Sequence, residues 1–153
     1  NAISRVILLS EASAIMEPWL HRRADFGADV IALFDQGRLL SATDYINAQR
    51  LRRIYQREWA KLWEQVDVIF TPTAPLVAPP IGATQIEVDG VTEDVRLAST
   101  RLVRCINVLG LPAASVPLPS HGLPVALQII GKPFAEREVL GISQTLSILH
   151  CGE

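Results

Sequence analysis

The chain is poor in sulfur. It has two cysteines, Cys105 and Cys151, and one methionine in 153 residues. Cysteines so few and so far apart exclude a disulfide scaffold and favour a reducing, cytoplasmic setting. Neither cysteine joins His21, His121 or His150 at metal-ligand spacing, so no metal and no cofactor is expected. Long apolar runs are also missing. None approaches the roughly 20 residues a membrane span needs. The start, NAISRVILLSEAS, has a short apolar core but carries Glu11 and no charged lead, unlike a secretory signal. It does not begin with Met, as a piece of a longer protein would not. A net charge of −2 gives no electrostatic case for a nucleic acid or an anionic membrane. The five cations Arg50, Arg52, Arg53, Arg57 and Lys61 are interleaved with Glu58 and Glu64, which predicts a solvated helix face.

What is present is an ordinary globular composition, 49% apolar and 20% charged. Residues 1–66 show only helical patterns. A first helix is predicted over residues 4–19, with Pro18 disturbing its end, and a second over 28–36, with Gly37 as its cap. Ser41-Ala-Thr-Asp44 has the form of a capping box and opens a helix reaching about residue 65. Leu51, Ile54, Tyr55, Trp59, Leu62, Trp63 and Val66 form a stripe along it that should be buried.

Residues 67–153 alternate strands with helices. Val68-Ile69-Phe70, residues 113–116 and residues 125–130 are short apolar runs ended by proline, glycine or polar residues, as buried strands are. Asp89-Gly90 suits a tight hairpin between Ile86-Glu-Val88 and Val91. A helix over 93–109 should stop at Gly110, and Pro112 bars its continuation. After Pro133 a last helix carries Val139, Leu140, Ile142, Leu146 and Leu149. The pattern predicts an α/β fold, with helices covering a sheet. Three core strands are fewer than the usual 4–6 of a sheet. Further strands are therefore expected from outside this chain, and the uncovered face is expected to drive self-association.

Chemistry-bearing groups are sparse. Ser120-His121 lies next to Gly122, and adjacent residues seldom aim at one another, so a polar turn is the better reading. Asn107 is a poor helix former one turn before a helix end, and Arg104 shares its face. A bond to nearby backbone and a pocket role are both open to Asn107.

Two blocks resemble a known family. They are Asp67-Val-Ile-Phe-Thr-Pro-Thr-Ala-Pro75 and the segment from Asn107 to Leu140, with its Gly-Leu-Pro-Ala, Gly-Leu-Pro-Val and Leu-Gln-Ile-Ile-Gly-Lys-Pro-Phe elements. Glu17-Pro-Trp19 and Ala48-Gln-Arg-Leu-Arg-Arg53 add weaker support. Together they are similar to the C-terminal part of amidase-signature hydrolases. The resemblance implies an α/β fold with a mixed sheet between helices, and residues 1–153 as the C-terminal portion of one amidase domain. It implies cleavage of a carboxamide C–N bond by an activated serine, a second serine in a cis peptide and a lysine base. Backbone amides would hold the oxyanion. This chain has no Gly-Ser-Ser run, and its lysines, Lys61 and Lys132, precede none. No catalytic residue can therefore be named, and the catalytic half should lie N-terminal to Asn1.

Within the family this region lines part of the acyl pocket. Val103-Arg-Cys-Ile-Asn107 corresponds to a common Thr-Arg-Pro-Phe-Asn pattern. Arg104 and Asn107 match it, whereas Val103, Cys105 and Ile106 depart. Thr100 stands where the A subunit of glutamyl-tRNA amidotransferase has an acidic residue suited to the ammonium of glutamine. The resemblance thus implies substrate-binding roles for Thr100, Arg104 and Asn107, and a less polar amide as substrate. The tRNA-dependent amidotransferase is the second reading. A non-catalytic binding module that reuses the fold is the third.

Overall fold

The computed structural model describes residues 2–151. They divide into two compact units, one ending at Arg57 and one starting at Glu58.

The first unit is helical. α1 (Ala2–Met16) is followed by short 3₁₀ turns over Glu17–Asp25 that meet at a kink at Arg22. Pro18 sits in the first turn of that segment, where its missing N–H costs nothing. α1 therefore stops before Pro18 instead of running to residue 19. α2 (Ala28–Arg38) packs against α1. Gly37 lies inside α2 and is not its cap. A Cβ there would sit 2.1 Å from the Leu9 carbonyl oxygen and 2.0 Å from Ser13 Oγ. Glycine is needed because two helix backbones meet at that point. Ser13 is buried in the same contact, with Oγ 2.7 Å from the Leu9 carbonyl and 2.8 Å from that of Phe34. Its single hydrogen is shared between the two helices.

α3 (Ala42–Ala60) opens with the expected capping box. Ser41 Oγ accepts the Asp44 amide at 3.1 Å, and Asp44 Oδ2 accepts the Ser41 amide at 3.4 Å. Tyr45 and Gln49 reach Glu11 on α1, and Ala48 is the one buried residue of α3. The helix ends at Ala60, and a 3₁₀ turn, Leu62–Glu64, follows it. The predicted buried stripe is not buried: Leu51, Ile54 and Tyr55 are 44%, 51% and 50% exposed. Periodicity reports which residues share a face. It does not report whether anything covers that face.

The second unit is built on a sheet of β1 (Val68–Pro72), β4 (Ala113–Leu118) and β5 (Val125–Gly131) in the order β1-β5-β4. Both pairings are antiparallel. β5 is central and carries the two most deeply buried large side chains, Ile129 and Ile130. Each is worth about 2–3 kcal/mol of apolar burial. α6 (Glu136–Cys151) lies on this sheet through Val139, Ile142 and Leu146, against Val68, Ala114, Val116 and Ile129. Gly131 lets α6 close, since a Cβ there would stand 2.5 Å from Val139 Cγ2. Leu140 and Leu149, expected on the apolar face, are exposed.

A separate hairpin joins β2 (Gln85–Val88) to β3 (Val91–Asp94). Its turn residues have positive φ, 51° at Asp89 and 77° at Gly90, as a two-residue hairpin loop requires. The helix expected over 93–109 is two helices, α4 (Val95–Ser99) and α5 (Arg104–Leu109). Residues 93 and 94 belong to the hairpin, and Asp94 starts α4 by accepting the Arg96 and Leu97 amides at 2.9 and 3.1 Å. Gly110 ends α5 in the left-handed region, as predicted, with φ 72°. The architecture is α/β, as the alternation of patterns implied.

Candidate functional site

The residues singled out from sequence lie along the α4–α5 segment. Thr100 follows the last residue of α4, Arg104 opens α5, and Asn107 lies one turn further on. Thr100 Oγ1 donates to the Arg96 carbonyl at 2.7 Å. Arg104 Nη2 donates to the Arg96 and Leu97 carbonyls, both at 3.1 Å, and to Thr100 Oγ1. The structure thus brings Thr100 and Arg104 together, and both are engaged with backbone. Asn107 is exposed, and its side chain makes no hydrogen bond among the described residues. Its amide keeps free donors and an acceptor for a ligand or for solvent.

This segment is tied to the hairpin. Arg101 Nη1 lies 2.7 Å from Glu93 Oε1 on β3, the least exposed ion pair of the unit. Asp94 caps α4 from the same strand. The position of Thr100 is therefore set from both sides, by β3 before it and by α5 after it.

Beside α4 a groove of about 570 Å³ runs between the residues after β1 and the β4–β5 ends. Pro72, Thr73, Leu76, Ser99, Leu118 and Leu127 are among its walls. The lining is mostly apolar, as small-molecule clefts are. Thr73 Oγ1 at its edge lies 2.8 Å from Ser115 Oγ. Next to them Gln128, 4% exposed in the middle of β5, donates from Nε2 to Thr71 Oγ1 at 2.9 Å. The register sets Thr71, Gln128 and Ser115 side by side across the three strands. This row of polar side chains was missed from sequence. The signal was one glutamine inside the apolar run of β5, where a buried amide needs a partner.

The remaining sequence candidates do not assemble. Ser120 Oγ donates to the Leu123 carbonyl at 3.2 Å, which makes it part of a turn, and His121 is exposed. Lys61 pairs with Glu58 at 2.6 Å, and Lys132 Nζ lies 3.9 Å from Asp67. Among the described residues no three His, Cys, Asp or Glu side chains gather as metal ligands.

Comparison with known proteins defines the class. The model of the Amidase family matches residues 10–140. The chain is 40% identical over 114 residues to fatty acid amide hydrolase of Arabidopsis thaliana, covering 73% of this chain and 19% of that protein. It is 35% identical over 144 residues to the A subunit of glutamyl-tRNA(Gln) amidotransferase from a Nitratiruptor species, covering 90% of this chain and 31% of the relative. A crystal structure of an amidase superposes with a TM-score of 0.87 at 27% identity, over 97% of this chain and 35% of that one. The chain belongs to the amidase family of amidase-signature enzymes. It spans between about a fifth and a third of the length of these relatives.

Proposed function

We propose that this chain is the C-terminal portion of a serine amidohydrolase that cleaves a carboxamide C–N bond. In this reading the activated serine, the cis-peptide serine and the lysine base lie on the N-terminal portion. The residues of this chain supply pocket wall, with Asn107 facing the substrate from α5. The supporting observation is the contrast between coverage and chemistry. The fold is that of an amidase over nearly the whole chain, yet both lysines lie beside carboxylates and the sequence has no Gly-Ser-Ser run after either. Acyl transfer without a nucleophile and its base has no covalent route. Thr100, standing where the amidotransferase A subunit has an acidic residue, supports an amide with an uncharged acyl group, and the whole enzyme is read as cytoplasmic. The reading as the A chain of an amidotransferase draws on the 35% identity to that relative.

The test is amide hydrolysis by two preparations. The full-length protein that carries this sequence turns over neutral carboxamides faster than glutamine, and the 153-residue chain alone turns over neither. Turnover by the chain alone, abolished by a serine-directed inhibitor, overturns the assignment. Preference for glutamine in the full-length protein selects the amidotransferase reading.

A further inference from the structure

α4 has only five residues, too few to hold a helix by its own hydrogen bonds. It persists because both ends are capped by side chains. Asp94 takes the first free amides. At the other end the last carbonyls have no helical partner. Arg104 reaches them from the next helix. One nitrogen, Nη2, makes all three contacts, to the carbonyls of Arg96 and Leu97 and to Thr100 Oγ1. A cation at a helix C-terminus also has a favourable electrostatic environment.

We propose that Arg104 is a positioning residue of the amide site: it fixes Thr100 and the end of α4, and so the α4–α5 break, without touching substrate. This rests on the amidohydrolase reading above. The geometry separates it from the usual task of an arginine in a pocket. An arginine that grips a carboxylate uses two nitrogens as a fork, which lysine cannot reproduce. Here a single donor point serves three acceptors. An ammonium has three hydrogens on a long stem, so lysine can stand in.

The experiment compares Arg104→Met, Arg104→Lys and Thr100→Val in the full-length protein carrying this sequence. Two readouts are taken: steady-state kinetics on a neutral carboxamide, and hydrogen exchange. The amides of Arg101 and Arg104, bonded to the Ala98 and Thr100 carbonyls, report the break. The Ile129 amide, in the centre of the sheet, reports that the variant is folded. In R104M those two amides should exchange roughly tenfold faster, as for a lost charged hydrogen bond. In the same variant kcat/KM should fall about tenfold or more through misplacement. R104K should regain both to within about threefold, and T100V should lie between. An R104K as impaired as R104M, with exchange unchanged in both, means that Arg104 contacts substrate and overturns the proposal. Full activity and unchanged exchange in R104M overturn it as well. If the wild-type protein cleaves no amide, the functional reading fails. The exchange comparison still decides whether Arg104 holds the break.

Discussion

The helical unit and the sheet unit are held by different kinds of contact. Up to Arg57 helices meet by close backbone approach, where Gly37 of α2 meets the Leu9 carbonyl of α1 and the shared Ser13 hydroxyl. From Glu58 onward the centre is apolar side chain on side chain, with Ile129 fully buried between strands and α6. The same contrast separates two helices that look alike in sequence. α6 places Val139, Ile142 and Leu146 on a sheet, whereas α3 leaves Leu51, Ile54 and Tyr55 half exposed. A helical apolar stripe thus predicts a face, and only the element lying over it turns that face into core.

The largest expected effect tests the sheet core. Ile129→Ala should cost about 4 kcal/mol in urea unfolding, since the side chain is wholly enclosed. Ile54→Ala, at the exposed stripe, should cost less than about 1 kcal/mol. Equal losses would erase the distinction between α6 and α3 and show that α3 is covered in solution.

Next comes the backbone contact. Gly37→Ala should cost about 3 kcal/mol, because the new methyl meets backbone that cannot rotate away. Hydrogen exchange should rise in α1 and α2 more than in β5. A neutral G37A would mean that α1 and α2 can part without loss, and that the close approach stabilises nothing.

The smallest effect belongs to the surface of the helical unit. Arg23 grips Asp35 through two nitrogens, at 3.0 and 2.6 Å. The hydrogen bond from Arg23 holds the Asp35 carboxyl below its ordinary pKa, and the same bond raises the Arg23 guanidinium above its own. A carboxylate with a depressed folded-state pKa stabilises above its unfolded value, near pH 4, and that contribution is lost as pH falls through the folded value. Arg23 stays charged throughout. Asp35→Asn should therefore lower the urea midpoint slightly at neutral pH, and the gap to wild type should close on acidification from about pH 5 to about pH 2. Both groups are solvent-exposed, so added salt should shrink the gap. A gap that ignores pH would assign the effect to packing.

Much of the fold was legible because it is written in local chemistry. Asp89-Gly90 favours a tight turn of positive φ, Gly110 before Pro112 a left-handed stop, and Ser41 with Asp44 a helix start. Nothing local announces the break after Ser99. It arises where Arg104 holds the end of α4 from another helix, a contact whose partner a propensity cannot name. Gly37 was read as a stop signal for the same reason, since its neighbour is Leu9, 28 positions away in the sequence. Of the candidate site, Thr100, Arg104 and Asn107 were named through resemblance. The row of Thr71, Gln128 and Ser115 was not, since it exists only once the strand register is known.

That register also bears on how the sheet assembles. β5 meets β4 across the short connection 119–124, but it meets β1 only after the chain has travelled through residues 73–126. The second loop is about nine times longer, and closing it costs about 2 kcal/mol more in chain entropy. The β4–β5 hairpin can therefore form early and locally, on a microsecond scale. β1 has to be recruited from a distance onto a strand already paired on its other side. The β2–β3 hairpin and α4 lie inside that longer loop, so the groove that Ser99 at the end of α4 shares with Pro72 takes its final form only when β1 docks.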